Sequence, residues 1–143
     1  MRKQKVLVLC TGNSCRSQIA EGLLRYFAGD RFEVFSAGTE PTSKVNPLAV
    51  EIMKEIGLDI SQQFPKHVKK FLNQEFDFVI TTCEDAKKAC PIFPGETTNI
   101  HWDLKDPAEA KGTKEERLVV FRKTRDLVYQ KIREFLKDYK NII

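Results

Sequence analysis

Cys10 and Arg16 stand in the spacing C-x5-R, within the stretch CTGNSCR, and Ser17 follows directly. Those residue types in that order suit one kind of chemistry, thiolate attack on a bound oxyanion. An apolar run delivers Cys10 to the end of a strand. Thr11, Gly12, Asn13, Ser14 and Cys15 must then turn sharply into a helix, and Gly12 and Asn13 tolerate the backbone angles a tight turn asks for. Backbone N–H groups of such a turn, together with the positive end of the helix, make a cradle for a tetrahedral anion. Arg16 adds a planar fork that binds two anion oxygens at once. This positive surround is expected to lower the Cys10 pKa and supply a thiolate, which can attack the central atom of the anion. Ser17 is expected to donate to the sulfur or to cap the helix, and Asn13 to pin the loop through its amide. Cys15 reads as a small space-filler within the loop. No Gly-Lys-Ser/Thr follows, so the loop is not of the nucleotide-binding type.

The elements that must position these residues alternate. Short runs rich in β-formers occupy 5–9, 33–38, 76–81 and 97–101. Apolar residues at helical spacing follow Ser17 (Ile19, Ala20, Leu23, Leu24, Phe27), follow Asn46-Pro47 (Leu48, Ile52, Met53, Ile56) and mark a long helix over 114–137. Asn46-Pro47 is a cap followed by a proline at the first helical position. Val68, Phe71 and Leu72 share a face, and a short helix is expected over 84–89. This alternation predicts a single α/β domain over 1–143: a four-stranded parallel sheet flanked by helices on both faces, with the anion-binding loop after the first strand. Working sites in such folds lie at the carboxyl ends of the strands. Cys10, Cys83 and the polar loop 102–113 all follow strands, so they should converge there.

Composition bounds the partners. Hydrophobic residues make up 41% and charged residues 31%, ordinary proportions for a soluble domain, and no apolar run approaches a membrane span. The basic start MRKQKVLVLC has too short an apolar run for a signal segment, so a cytoplasmic location is expected. Of the net charge of +4, much lies in 111–143, where acidic residues interleave with basic ones. That reads as a solvated helix face, not as a nucleic-acid surface. In the cytosol, four cysteines are core, metal-binding or catalytic residues more than structural disulfides. Cys83 and Cys90, spaced C-x6-C, do not fit a zinc knuckle with Cys15 or His101, and no metal is expected. His67 and His101 read as structural or surface groups.

Taken together, CTGNSCRSQIAEG, SAGTE at 36–40, VNPLA at 45–49, GLDIS at 57–61, TTCEDAKKACPIFP at 81–94 and HWDLKDPA at 101–108 resemble the low-molecular-weight protein tyrosine phosphatase superfamily. Within it they resemble the thioredoxin-coupled arsenate reductases, along nearly the whole chain. The loop alone is shared with phosphatases; Cys83 and Cys90 carry the resemblance to the reductases.

The resemblance implies an enzyme that reduces arsenate to arsenite through three thiols. Cys10 would attack arsenate, and Asp106, in the Asp106-Pro107 pair, would protonate the leaving oxygen; Asp103 is a rival for that role. Cys83 would form a disulfide with Cys10 and release arsenite, Cys90 would take Cys83 over, and thioredoxin would reduce the Cys83–Cys90 bond. The alternative within the superfamily is a phosphatase working through a Cys10 phosphoenzyme. Ala108 and Glu109 stand where phosphatases commonly carry aromatic residues, which favours a small inorganic oxyanion. The family is usually monomeric. Some members bind potassium near the loop, and Asn13, Glu21 and Ser36 match that site; 65–67 offers no carboxylate to complete it, so Lys66 is expected to supply the charge. The Cys83–Cys90 step has a mechanical consequence. A helix spanning those seven residues would rise roughly 10 Å, whereas a disulfide needs Cα atoms within about 7 Å, so the helix must unwind.

Overall fold

In a computed structural model, described over residues 3–139, four strands and four α-helices alternate along the chain. The ends of the domain expected over 1–143 lie outside the described residues. The strands are β1 (Gln4–Cys10), β2 (Phe32–Gly38), β3 (Phe78–Thr81) and β4 (Thr98–His101); they are all parallel, in the order β2-β1-β3-β4. The helices are α1 (Arg16–Ala28), α2 (Pro47–Lys54), α3 (Glu84–Lys88) and α4 (Lys114–Asp138).

β1 shows why the sheet is a two-sided core. Val6, Leu7, Val8 and Leu9 are all fully buried, and successive residues face opposite sides. Val6 and Val8 join a large cluster with Leu23 and Leu24 of α1, Ile52 and Met53 of α2, and Phe121, Val128 and Ile132 of α4. Leu7 and Leu9 join a smaller one with Val68 and Phe71 of a 3-10 turn, Ala86 of α3, Phe76 and Phe93. The expected three layers are present, one of them thin. Asn46 caps α2 by accepting from Leu48 N–H at 2.9 Å, and Thr113 and Glu116 close a reciprocal capping box on α4.

Three expected core positions are corrected. Phe27, Ile56 and Leu72 keep the right spacing but are exposed. Phe27 lies at the rim of α1, where its ring meets those of Tyr26 and Tyr129; Ile56 falls beyond the last turn of α2, and Leu72 beyond the 3-10 turn. Periodicity assigns a face, and only packing says where that face ends. Phe76 is buried but precedes β3.

The sheet order reverses between β1 and β3: β2 lies outside one and β4 outside the other. The carboxyl ends of β1 and β3 therefore flank the switch point, where parallel sheets open a crevice. Cys10 ends β1, and Cys83 follows β3 as the N-cap of α3.

Candidate active site

The loop between β1 and α1 is built by spending its carbonyls outward. Cys10, Thr11, Gly12 and Ser14 accept from the N–H groups of Thr39, Glu40, Thr42 and Asn46, at 2.9–3.1 Å. The Asn13 carbonyl accepts from Gln18 Nε2 at 2.9 Å. Each peptide is planar and trans, so an outward carbonyl turns the following N–H the other way, into the loop. The 39–46 segment thus sets the polarity of the cradle. Asn13 makes the tight turn with φ of 50°. Gly12 was expected to share that strain, but it has no left-handed angle; a side chain there would crowd Thr42 at 3.3 Å. The close approach falls at Gly38, where a Cβ would lie 2.5 Å from the Thr11 carbonyl oxygen.

Cys10 is 2% exposed. Its sulfur lies 3.0 Å from Asn13 N–H and 2.8 Å from Ser17 Oγ. Ser17 in turn accepts from Asn13 Nδ2 at 2.7 Å, which leaves its hydroxyl hydrogen free to turn toward a charged sulfur. Ser17 is not the helix cap; Cys15 holds that position without a side-chain bond. Burial pushes the Cys10 thiol up from its ordinary value, against the lowering pull of Ser17, Arg16 and the Asn13 N–H. This corrects the expected depression. The loop excludes the water that would solvate a thiolate, and its donors offset only part of that loss. Cys15 is buried as expected of a filler, and burial raises its thiol to about 12.

Arg16 is anchored by donating to the Leu104 carbonyl at 3.0 Å, and its other nitrogen lies 3.8 Å from Asp106. Trp102 and Leu104 are buried and their N–H groups donate to the Thr81 and Thr82 carbonyls at the carboxyl end of β3, so they fasten the segment that carries Asp106. Asp106 accepts from Ala108 N–H at 3.0 Å, which orients its carboxylate. Asp103 is exposed, while Asp106 reaches Arg16. Cys83 comes to the mouth of the loop: its sulfur lies 3.3 Å from Thr11 Oγ1. Cys90 follows the C-terminal end of α3, half-buried, its thiol raised by burial. All four cysteines are free.

Behind the loop, Asn13 Nδ2 also donates to Ser36 Oγ at 3.1 Å, and Ser36 donates to the buried Glu21 carboxylate at 2.5 Å. Glu21 is met by Arg25 at 2.8 Å and by Lys66 at 3.7 Å, and the Lys66 backbone N–H donates to Asn13 Oδ1 at 3.0 Å. Burial lowers the Lys66 pKa, and Glu21 opposes that. Gln18, fully buried and tied to Asn13, Phe64 and Gln63, is a support that sequence reasoning missed, because a glutamine one turn into a helix looks like surface. His67 caps the 3-10 turn, and His101 pairs with Thr81 and lies 3.6 Å from Glu84. Among the described residues no cluster of three or more acidic, histidine or cysteine side chains could hold a metal.

Comparison with known proteins covers nearly the full chain. The family model for low molecular weight phosphotyrosine protein phosphatase matches residues 5–142. An arsenate reductase of Halalkalibacterium halodurans is 46% identical over 140 residues, 98% of this chain and 100% of the relative. A thioredoxin-dependent arsenate reductase of Corynebacterium glutamicum superposes with a TM-score of 0.77 at 33% identity, over 96% of this chain and 62% of that one. A low molecular weight protein tyrosine phosphatase from T. tengcongensis gives a TM-score of 0.78 at 26% identity, over 95% and 99%.

Proposed function

The chain belongs to the low molecular weight phosphotyrosine protein phosphatase family, and from that premise we propose that it reduces arsenate to arsenite with thioredoxin as electron donor. The observation that carries this reading is the second thiol at the loop, Cys83 against Thr11 at 3.3 Å, with a third, Cys90, across a five-residue helix. Hydrolysis needs neither; a two-electron reduction needs a thiol pair.

The chemistry balances with these three thiols. Arsenate sits in the N–H cradle and on the Arg16 fork. The Cys10 sulfur bonds arsenic; its proton and one arsenate hydroxyl leave together as water, and Asp106 hands the proton to the departing oxygen. Ser17, Arg16 and the Asn13 N–H, which oppose the effect of burial on Cys10, favour the attacking thiolate. Cys83 then attacks the Cys10 sulfur. The S–As bond breaks, its electron pair stays on arsenic, and arsenite departs with the Cys83 proton. Cys90 attacks Cys83 and returns Cys10 as a thiol. Thioredoxin supplies the two electrons that reopen Cys83–Cys90. The same loop can hydrolyse phosphate esters, so residual phosphatase activity is expected.

The reading needs no metal. The Arg25 guanidinium and the Lys66 ammonium both face Glu21 at the back of the loop, where they balance the buried carboxylate that holds Ser36 and, through it, Asn13. Among the described residues no helix is long and apolar enough to cross a membrane.

Thioredoxin-dependent arsenate consumption, measured beside p-nitrophenyl phosphate hydrolysis, tests the proposal. Cys83→Ala and Cys90→Ala should each abolish arsenate turnover and keep hydrolysis. Turnover that persists in both would refute it.

A further inference from the structure

Just past Cys90 the chain holds an isoleucine out in solvent. Ile92 is 97% exposed, against 66% for Tyr26, the next barest large apolar side chain among the described residues. A lone exposed isoleucine is ordinary; its setting is not. The neighbouring Phe93 is buried in the smaller core, its ring edge-on to Phe76 at 5.1 Å. Pro91 and Pro94 flank the pair and restrict the backbone. Ile92 is thus presented on a stiff segment nailed down from beneath. Beside it lies a cavity of about 360 Å³, walled by Lys87, Cys90, Ile92, Phe93, Thr97 and Asn99 among others. Thr97 Oγ1 is buried without a hydrogen-bond partner. The wall continues into β4, an edge strand whose Thr98 and Asn99 are exposed and whose outer backbone groups are open to pairing.

The relay proposed above, on which this inference rests, says what must cover this surface. A donor thiolate has to bond a sulfur of the Cys83–Cys90 disulfide. It forms a mixed disulfide and expels the other sulfur as a thiol; the donor's second thiol then closes the donor's own disulfide and frees the second sulfur. Two electrons and two protons pass inward. A protein contact of ordinary size takes in about 800 Å² on each partner, so a donor centred on Cys90 also covers Ile92. α3 cannot serve as a fixed docking feature, because it unwinds during the relay. The segment 92–94 beyond it can, because Phe93 packs on Phe76 in the core.

We propose that Ile92 is the anchor that seats the dithiol donor protein, thioredoxin, over Cys90, with the adjoining cavity and the β4 edge completing the contact. Ile92 takes no part in the steps at arsenic, so its role separates cleanly from the relay itself.

The test compares wild type, Ile92→Asp and Ile92→Leu in three assays: the single arsenite released per protein without donor, turnover with dithiothreitol, and turnover against thioredoxin concentration. Ile92→Asp should raise the KM for thioredoxin about tenfold or more, the loss typical of a central apolar anchor. It should leave the arsenite burst and the dithiothreitol rate unchanged, and Ile92→Leu should stay close to wild type. An unchanged thioredoxin KM in Ile92→Asp would overturn the anchor. So would equal losses with thioredoxin and dithiothreitol, which would mark a folding role. A wild-type protein with no arsenite burst would instead overturn the relay on which the inference stands.

Discussion

Oxidation of Cys83 and Cys90 to a disulfide must dismantle α3, and the cost can be worked from its contacts. Cys83 is the N-cap and Cys90 lies just beyond the C-cap Ala89. Lys87 N–H bonds the Cys83 carbonyl and Ala89 N–H bonds the Asp85 carbonyl, each at 3.0 Å. Both are lost when the ends are drawn together, at about 1 kcal/mol net apiece. Ala86, fully buried against the sheet, leaves the core at a further ~0.8 kcal/mol for its methyl group. The total is ~3 kcal/mol. At 30 mV per 1.4 kcal/mol, that makes the bridge about 60 mV more oxidising than the same bridge across an unstructured segment, and so easier for a donor to reopen. Hydrogen exchange on reduced and Cys83–Cys90 oxidised protein reads this directly. Amides of residues 87–89 should lose protection on oxidation while those of β3 and β4 keep theirs, because Phe93 and the two prolines stop the opening. Ala86→Gly weakens α3 by about 1 kcal/mol and should speed the Cys10–Cys83 to Cys83–Cys90 exchange roughly fivefold. Equal protection at Lys87 and Ala89 in both states would refute the reasoning, as would opening that spreads into Phe78–Thr81.

Other outcomes follow from the loop and its supports. Ser17→Ala removes the strongest lowering influence on Cys10, so the pH midpoint of Cys10 alkylation should rise and phosphate-ester hydrolysis at pH 7 should fall roughly tenfold or more; an unmoved midpoint would contradict the assigned contact. Asp106→Asn should slow both arsenate reduction and ester hydrolysis by about a hundredfold, whereas Asp103→Asn should slow neither. Wild-type activity should be indifferent to potassium at fixed ionic strength, and Lys66→Ala should lose activity that potassium partly restores; a steep potassium dependence in wild type would remove Lys66 from that role. Burial raises the Cys15 thiol from 9.0 to about 12, so its stabilising share is whole below pH 9 and is lost as pH climbs toward 12, by up to ~1.4 kcal/mol per unit. Urea midpoints of wild type should therefore fall more steeply above pH 9 than those of Cys15→Ala.

What the sequence made legible was local or repetitive. The alternation of strand and helix, the cap at Asn46-Pro47 and the loop from Cys10 to Arg16 are each written in residues within a turn or two of one another. What it hid depends on contacts between distant segments. Arg16 takes its anchor from a carbonyl 88 residues away, and a carbonyl leaves no mark in a side-chain pattern. Thr11 meets Cys83 across 72 residues. The Cys10 pKa is hidden for the same reason: the donors around the sulfur are visible in CTGNSCRS, but the burial that outweighs them belongs to the folded loop, which is bonded to the 39–46 segment.

In the relay proposed above, the arrangement of the three thiols would also guard against a short circuit. Cys83 and Cys90 together are a complete dithiol, so an oxidant reaching them as a free pair would close their disulfide without arsenate being consumed. In the reduced protein α3 stands between them as a spacer, and partial burial disfavours the Cys90 thiolate. Cys83, by contrast, already lies at the loop beside Thr11, so its first accessible target is the Cys10 sulfur once arsenate is attached. On that proposal the Cys10–Cys83 bond forms first, at the N-cap of α3, and unwinding of α3 then brings Cys90 to Cys83. The proposed order of the steps thus rests on one short helix, which would withhold the second electron-carrying thiol until the first has been committed to substrate.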